Sequence, residues 1–260
     1  MKSTDLYIIA AGKGSRMGGS IPKALVPINP GEPNLTTTLK QVGHAFETVY
    51  VVTNNLIQDQ WSEYFNGIGS LGRNVHNVPI SSGLGDGHAI HQAFQCVQQH
   101  QGEIVICWGD VFIQHAEIVD ELLSREMNST SGLLPAVREQ NPYVSLLVDS
   151  SMHCTSADFS KYGESHPSGF HDQSIFRFNK TYIARALKDL HAAFWKGGRY
   201  ITPGGELSLL HAFHYLYNVG EPLQVYETDY PTLSFNTPEE VAQIQAEINK
   251  KWNLGERNEV

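Results

Sequence analysis

Short apolar runs punctuated by glycines and polar stretches set the pattern of this chain. Asp5–Ala10 (DLYIIA), Val49–Thr53 (VYVVT) and Glu103–Trp108 (EIVICW) are brief, nearly unbroken apolar segments, and each predicts a strand buried on both faces. Between them lie segments of helical period. Thr36–Phe46 carries Leu39, Val42 and Phe46 on one side, a helix is predicted around Ile57–Phe65, and the stretch after Gly87 carries Ile90, Ala93, Phe94 and Val97 on one face. A short strand is predicted near Asn74–Val78, a helix over Ile118–Leu123 and a strand over Gly132–Arg138. Strands and helices alternating through short connections predict an α/β fold with a mixed, mostly parallel central sheet flanked by helices.

Beyond residue 140 the alternation weakens. Tyr143–Asp149 reads as a strand suited to antiparallel pairing, and residues 150–172, rich in Ser, His and Gly without a period, read as a loop over the active side. Ser174–Phe178 predicts a strand, Tyr182–Trp195 and Glu206–Val219 helices, and Leu223–Glu227 and Thr232–Phe235 two more strands. Thr237-Pro238 opens a last helix, with Thr as cap and Pro at the first position. No repeat and no linker composition interrupts the chain. The expectation is one domain over residues 1–260, with a variable acceptor-side segment at about 140–178.

Composition narrows the class. With 41% hydrophobic residues and 17% charged ones the chain has an ordinary globular make-up. A net charge of −9 argues against nucleic acid or an anionic membrane as partner. That charge is uneven: residues 1–23 hold Lys2, Lys13, Arg16 and Lys23 against Asp5, a local +3, while the remainder carries −12. A positive patch on an acidic body points to a small anionic ligand held near the N-terminus. Three cysteines without C-x-x-C spacing give no disulfide framework. The absence of a signal-like leader or an 18-residue apolar run leads to an expected cytoplasmic location with no membrane insertion.

The chemistry concentrates in four short stretches. The first is Ala10-Ala11-Gly12-Lys13-Gly14-Ser15-Arg16-Met17, followed by Pro22-Lys23. Glycines just after a buried strand let backbone N–H groups approach phosphate oxygens. A dinucleotide loop would want Gly where Met17 stands, and a Walker loop would end in Gly-Lys-Ser/Thr, so neither common phosphate loop fits. The second stretch is Gly83-Leu84-Gly85-Asp86-Gly87-His88-Ala89, where Asp86 also has the spacing of a helix N-cap. The third is Gly109-Asp110, at the carboxyl end of an apolar run where open α/β sheets bind ligands. A carboxylate there suits Mg²⁺. The fourth is Ser234-Phe235-Asn236-Thr237-Pro238-Glu239, in which Asn236 could also cap the final helix.

Together these stretches resemble the nucleotidyltransferases that make nucleotide sugars, in particular the uridylyltransferase domain of the bacterial N-acetylglucosamine-1-phosphate uridylyltransferases. The resemblance implies a Rossmann-like nucleotidyltransferase fold that transfers a nucleoside monophosphate from an NTP to a sugar 1-phosphate and releases pyrophosphate. It implies that Arg16 and Lys23 are catalytic, neutralising phosphate charge. Ala10, Ala11, Gly12, Lys13, Gly14, Ser15, Gly83, Gly85 and Asp86 would bind the nucleotide, UTP or CTP. Asp110 and Asn236 would hold Mg²⁺. Ile80 and Asp86 stand where the uridylyltransferase pattern has Gln and Thr, so the base stays open. The family's sugar-reading segments are absent from Asn141–Phe178, where Asp172-Gln173-Ser174-Ile175 occupies the second of them. A cytidylyltransferase for a non-sugar phosphate such as phosphocholine, and a nucleotide-binding regulator without turnover, are the alternatives. A dehydrogenase is a weaker third. No hexapeptide repeat follows the last helix in these residues, so no acetyl-CoA reaction is expected.

Histidine is abundant, at 12 residues. The pairs His88/His91 and His211/His214 lack a further ligand at zinc spacing and are expected on exposed helix faces, while His153, His166 and His171 could touch an acceptor. No Gly-x-Ser-x-Gly elbow supports covalent catalysis.

Overall fold

The computed structural model describes residues 4–12, 14, 17, 21–29, 31–81, 83–97 and 102–255. The first half alternates as its pattern predicts. Strand β1 (Thr4–Ile9) is followed by a small hairpin, β2 (Pro27–Asn29) and β3 (Glu32–Pro33), and by helix α1 (Asn34–Val42). Then come β4 (Val49–Asn54), α2 (Gln58–Gly67), β5 (Val75–Ile80), α3 (Asp86–Cys96) and β6 (Glu103–Trp108). A short β7 (Val111–Ile113) leads into α4 (Glu117–Ser124).

The second half supplies β8 (Gly132–Gln140), β9 (Val144–Val148), β10 (His153–Phe159), β11 (Ser168–Asp172) and β12 (Ile175–Asn179). After α5 (Lys180–Phe194) come a two-stranded hairpin, β13 (Trp195–Lys196) and β14 (Arg199–Tyr200), and α6 (His211–Asn218). The chain closes with β15 (Leu223–Glu227), β16 (Thr232–Ser234) and α7 (Pro238–Gly255).

Ten strands form one mixed sheet in the order β11-β9-β10-β15-β8-β12-β6-β1-β4-β5. Its first four strands in sequence, β1, β4, β5 and β6, are mutually parallel. β12 then runs antiparallel to β6, which joins this unit to the remaining strands. Alternation along β1 divides the core. Tyr7 and Ile9 face a cluster with Ile90, Phe94, Leu187 and Phe213, whereas Leu6 and Ile8 face one with Leu35, Leu39, Trp61 and Ile118. Burial on both faces accounts for the unbroken apolar runs. A third cluster packs α7, through Val241, Ile244 and Ile248, on Ile28, Phe112 and Phe235.

Two expectations for the second half are corrected. Residues 150–172 are not one loop but contain β10 and β11. Their side chains are mostly half-buried, and their pairing is set by distant partners, β9, β15 and β8, so no local period marks them. The helix predicted from Glu206 begins only at His211, because Leu207 N donates to Leu84 O and Leu207 O accepts from His88 N, which ties the buried segment before it to the start of α3. Among the described residues no helix is long and apolar enough to cross a membrane.

Candidate functional site

β1 lies between β4 and β6, so the chain leaves its carboxyl end at the point where the strand order reverses. Crevices at such points are where open α/β sheets bind ligands. Here a cleft of about 400 Å³ opens over the carboxyl ends of β1, β5 and β6. Ala10, Ala11, Gly12 and Gly14 line it from the loop after β1, and Gly83, Gly85 and Asp86 line it from the loop before α3. Lys13, Ser15 and Arg16 lie outside the described residues.

Lys23, Asp110 and Asn236 meet in this cleft from three separate parts of the chain. Lys23 begins a single 3-10 turn, Lys23–Leu25, whose entry is fixed by Pro22 at φ −54°. Ala24, in that turn, is buried. Asp110 follows Gly109, and a Cβ at Gly109 would stand 3.1 Å from both the Ala10 and Ala24 Cβ atoms. Glycine is therefore what lets the turn after β6 settle between β1 and the Lys23 turn. Asn236 arrives through the antiparallel pairing of β16 with β7, and Phe235 N donates to Asp110 O at 3.1 Å. As a result Lys23 Nζ donates to Asp110 Oδ2 and to Asn236 Oδ1, each at 2.8 Å.

Asn236 does not cap the last helix. Thr237 Oγ1 accepts from Glu240 N at 3.3 Å and Glu240 Oε2 accepts from Thr237 N at 3.2 Å, a reciprocal capping box. The Asn236 amide oxygen is left to the cleft. In α3 the cap position is Gly85, and Asp86 is the first residue. Its Oδ1 accepts from Leu209 N at 2.6 Å and from Ser208 Oγ at 3.1 Å, tying α3 to the segment before α6.

That segment also explains the glycines beside Asp86. Gly85 has φ +99°, and a Cβ there would stand 2.3 Å from Leu207 O; at Gly87 it would stand 2.7 Å from Ser208 C. Backbone packs on backbone here, so both glycines are demanded by the fold whatever ligand binds.

The far side of the cleft is built from β9, β10 and the β11–β12 connection. Tyr143, Phe159, Asp172 and Ser174 line it, and Lys23 is the only lysine or arginine among the described lining residues. Asp172 is buried, and its Oδ1 accepts from Ser174 N at 2.8 Å. Burial pushes its carboxyl above the usual carboxylate range. Gln173 turns away and its Oε1 accepts from Thr232 N at 2.7 Å. Asp172 thus lines the cleft although no local motif in the sequence singles it out.

The histidines are redistributed. His88 and His91 are buried, not exposed, because α5 and the β13–β14 hairpin cover that face of α3. His88 Nδ1 and His191 Nδ1 both meet Tyr200 OH, at 2.6 and 2.8 Å, and His88 stacks on Trp195. Burial lowers the His88 pKa to about 4. Of His153, His166 and His171, only His171 lines the cleft, where its Nδ1 pairs with Glu139. Among the described residues no cluster of three His, Cys, Asp or Glu could hold a metal. Burial raises the Cys107 and Cys154 thiols to about 12, so neither is a nucleophile.

Comparison with known proteins agrees with this architecture. Residues 6–201 match the family of MobA-like NTP transferase domains. The bifunctional protein GlmU of Bacillus cereus is 25% identical over 267 aligned positions, covering 100% of this chain and 54% of that protein. GlmU of Acinetobacter baylyi is 29% identical over 145 positions, 54% of this chain and 29% of that protein. The chain thus spans about half or less of the length of these relatives. A UDP-glucose pyrophosphorylase solved with UDP-glucose superposes with a TM-score of 0.76 at 15% identity, covering 96% of this chain and 100% of that one. HddC from Yersinia pseudotuberculosis, complexed with GMP-PN, gives 0.66 at 16% identity, covering 94% and 99%. These two likenesses show the fold.

Proposed function

The chain belongs to the MobA-like NTP transferase domain family, and from that premise we propose that it is a nucleotidyltransferase joining a nucleoside monophosphate, from UTP or CTP, to a sugar 1-phosphate with release of pyrophosphate. The observation that carries this reading is the convergence of Lys23, Asp110 and Asn236 at the mouth of a glycine-lined loop after β1. Mere binding of a nucleotide does not need that triad, which counts against a regulator without turnover.

In the proposed reaction an acceptor phosphate oxygen attacks the α-phosphorus in line. A new P–O bond forms, the bond between the α-phosphorus and its bridging oxygen breaks, and pyrophosphate leaves with that oxygen. A phosphate monoester is already a competent nucleophile, so alignment and charge neutralisation suffice. In the protein without metal the Lys23 ammonium spends two of its three donors on Asp110 and Asn236; with those oxygens turned to a metal, its donors would be free for the α-phosphate or the incoming phosphate. Backbone N–H groups of the loop after β1 would hold the β- and γ-phosphates, with Arg16 and Lys13 adding charge there.

The donor set also fits magnesium. A carboxylate oxygen and an amide oxygen converge on one cation, the Lys23 ammonium, and both are hard ligands of the kind Mg²⁺ takes. Two protein ligands leave room for phosphate oxygens and water. Magnesium held by Asp110 and Asn236 would supply charge neutralisation at the reacting phosphates. Such a reaction belongs where NTPs are abundant, the cytoplasm.

The hexose reading of the acceptor follows the UDP-glucose pyrophosphorylase likeness. A second acceptor class, the phosphate of a cationic alcohol such as choline, is favoured by Tyr143 and Phe159 standing with Asp172 on the far side of the cleft. Pyrophosphate release measured over four NTPs, each with hexose 1-phosphates, hexosamine 1-phosphates and phosphocholine, tests both. Turnover with a sugar 1-phosphate is expected. Turnover with phosphocholine alone would replace the first reading by the second, and nucleotide binding without turnover on any acceptor would overturn both.

A further inference from the structure

We infer that Asn34 is a positioning residue that sets the geometry of Asp110 against Lys23. The inference rests on the proposed reaction only for its kinetic readout. Asn34 is the first residue of α1 and only 1% exposed. Its side-chain amide Nδ2 donates to Val111 O at 2.8 Å and to Gly109 O at 3.2 Å. Both neighbours are carbonyl oxygens, so only the NH₂ end of the amide can face them. These two carbonyls flank Asp110 in the turn after β6 and both accept from the one Asn34 amide. Asp110 O accepts instead from Phe235 N. The backbone around the carboxylate is therefore held at three consecutive carbonyls, by the residue that follows β16 and by the one side chain of Asn34.

The same residue holds the other half of the pair. Asn34 N donates to Val26 O at 2.9 Å, directly after the turn that carries Lys23. One residue thus bonds to the backbone beside Lys23 and to the backbone on either side of Asp110, across which the 2.8 Å ion pair forms. Stability alone does not account for it. Among the described residues Asn34 Oδ1, which is buried, has no hydrogen-bond partner, a cost that leucine of similar size would avoid. What leucine would lose is the pair of donors on the Asp110 turn. Asn236 Oδ1 and Asp110 Oδ2 must both reach one cation, and a displacement of about 1 Å at such a site costs up to roughly 10²-fold in turnover.

Two substitutions test this. Asn34→Leu removes both donors and the orphaned oxygen, and Asn34→Asp keeps the shape but turns an acceptor toward two carbonyls. In both, kcat for pyrophosphate release is expected to fall by roughly 10- to 10²-fold, with KM for the NTP within about threefold, since the phosphate-binding loop is untouched. Crystal structures of the variants give a readout that needs no turnover: the Asp110–Lys23 contact should open past about 3.5 Å, the limit of a hydrogen bond. Manganese affinity in the presence of NTP, followed by electron paramagnetic resonance, should weaken in parallel. A folded Asn34→Leu with kcat within about twofold of wild type and the ion pair intact would overturn the assignment. Failure of both variants to fold would also count against it, because Asn34 would then serve the fold as a whole. If the wild-type protein turns over no substrate, the proposed reaction fails and the crystallographic outcome still decides this point.

Discussion

Replacing Lys23 by methionine keeps the aliphatic stem and removes only the ammonium. In the protein that ammonium lies 2.8 Å from Asp110 Oδ2, with side-chain exposures of 17% and 29% for the two residues. Two unit charges at this distance attract by about 1.5 kcal/mol in bulk water and about 6 kcal/mol at an effective dielectric of about 20. A phosphate oxygen received by Lys23 at the same spacing falls between these limits. Part of that attraction already acts on the bound NTP, so only its increase at the transition state raises the rate. A middle value of about 3 kcal/mol corresponds to roughly 10²-fold in kcat, the scale of losing one preorganised charge partner.

The same substitution frees two oxygens. Asp110 and Asn236 no longer share a cation, so Mn²⁺ should bind Lys23→Met more tightly than wild type in the absence of nucleotide. The assay is continuous pyrophosphate release, with metal titrations beside it and circular dichroism to establish folding. A folded Lys23→Met that turns over within about threefold of wild type would refute the role given to Lys23. Unchanged metal affinity would refute the view that its ammonium stands where the metal goes.

Further outcomes follow from the same geometry. Asp110→Ala should lower turnover by at least about 10²-fold and weaken Mn²⁺ binding; full turnover in the folded variant would remove Asp110 from the site. Gly85→Ala forces a Cβ at φ +99° to within 2.3 Å of Leu207 O, so a loss of about 2 kcal/mol or more is expected. At this chain length that is a fall of about 4 °C or more in Tm, and an unchanged Tm would show that the α3 and α6 segments part easily. His88 has a folded pKa of about 4 against 6.5 for the free side chain. Between those values the unfolded chain binds the proton that folded His88 refuses, so stability should fall as pH drops from about 6.5 toward 4. Urea midpoints at pH 7.5 and 5 should differ less in His88→Gln than in wild type, and equal differences would exclude His88 as the source.

The sequence by itself determined the parallel half of the sheet. A strand covered on both faces must be apolar throughout, and β1, β4 and β6 announce themselves for that reason. Lys23, Asp110 and Asn236 were singled out one by one, through the family resemblance of the short stretches that carry them. Their meeting was not legible. The ion pair joins residues 87 apart and the amide contact residues 213 apart, and both depend on Gly109 admitting the turn and on β16 pairing with β7.

Tertiary structure alone decided three further points. β10 and β11 exist through their partners, because half-buried strands with polar residues carry no period of their own. His88 and His91 are interior because α5 and the hairpin after it return to cover a helix face that reads as polar. Asn34 bears on the site because its side chain is shut in against two carbonyls, a consequence of α1 starting beneath the Asp110 turn. An asparagine at a helix start reads in sequence as a cap. Only the position of a distant turn makes it a brace.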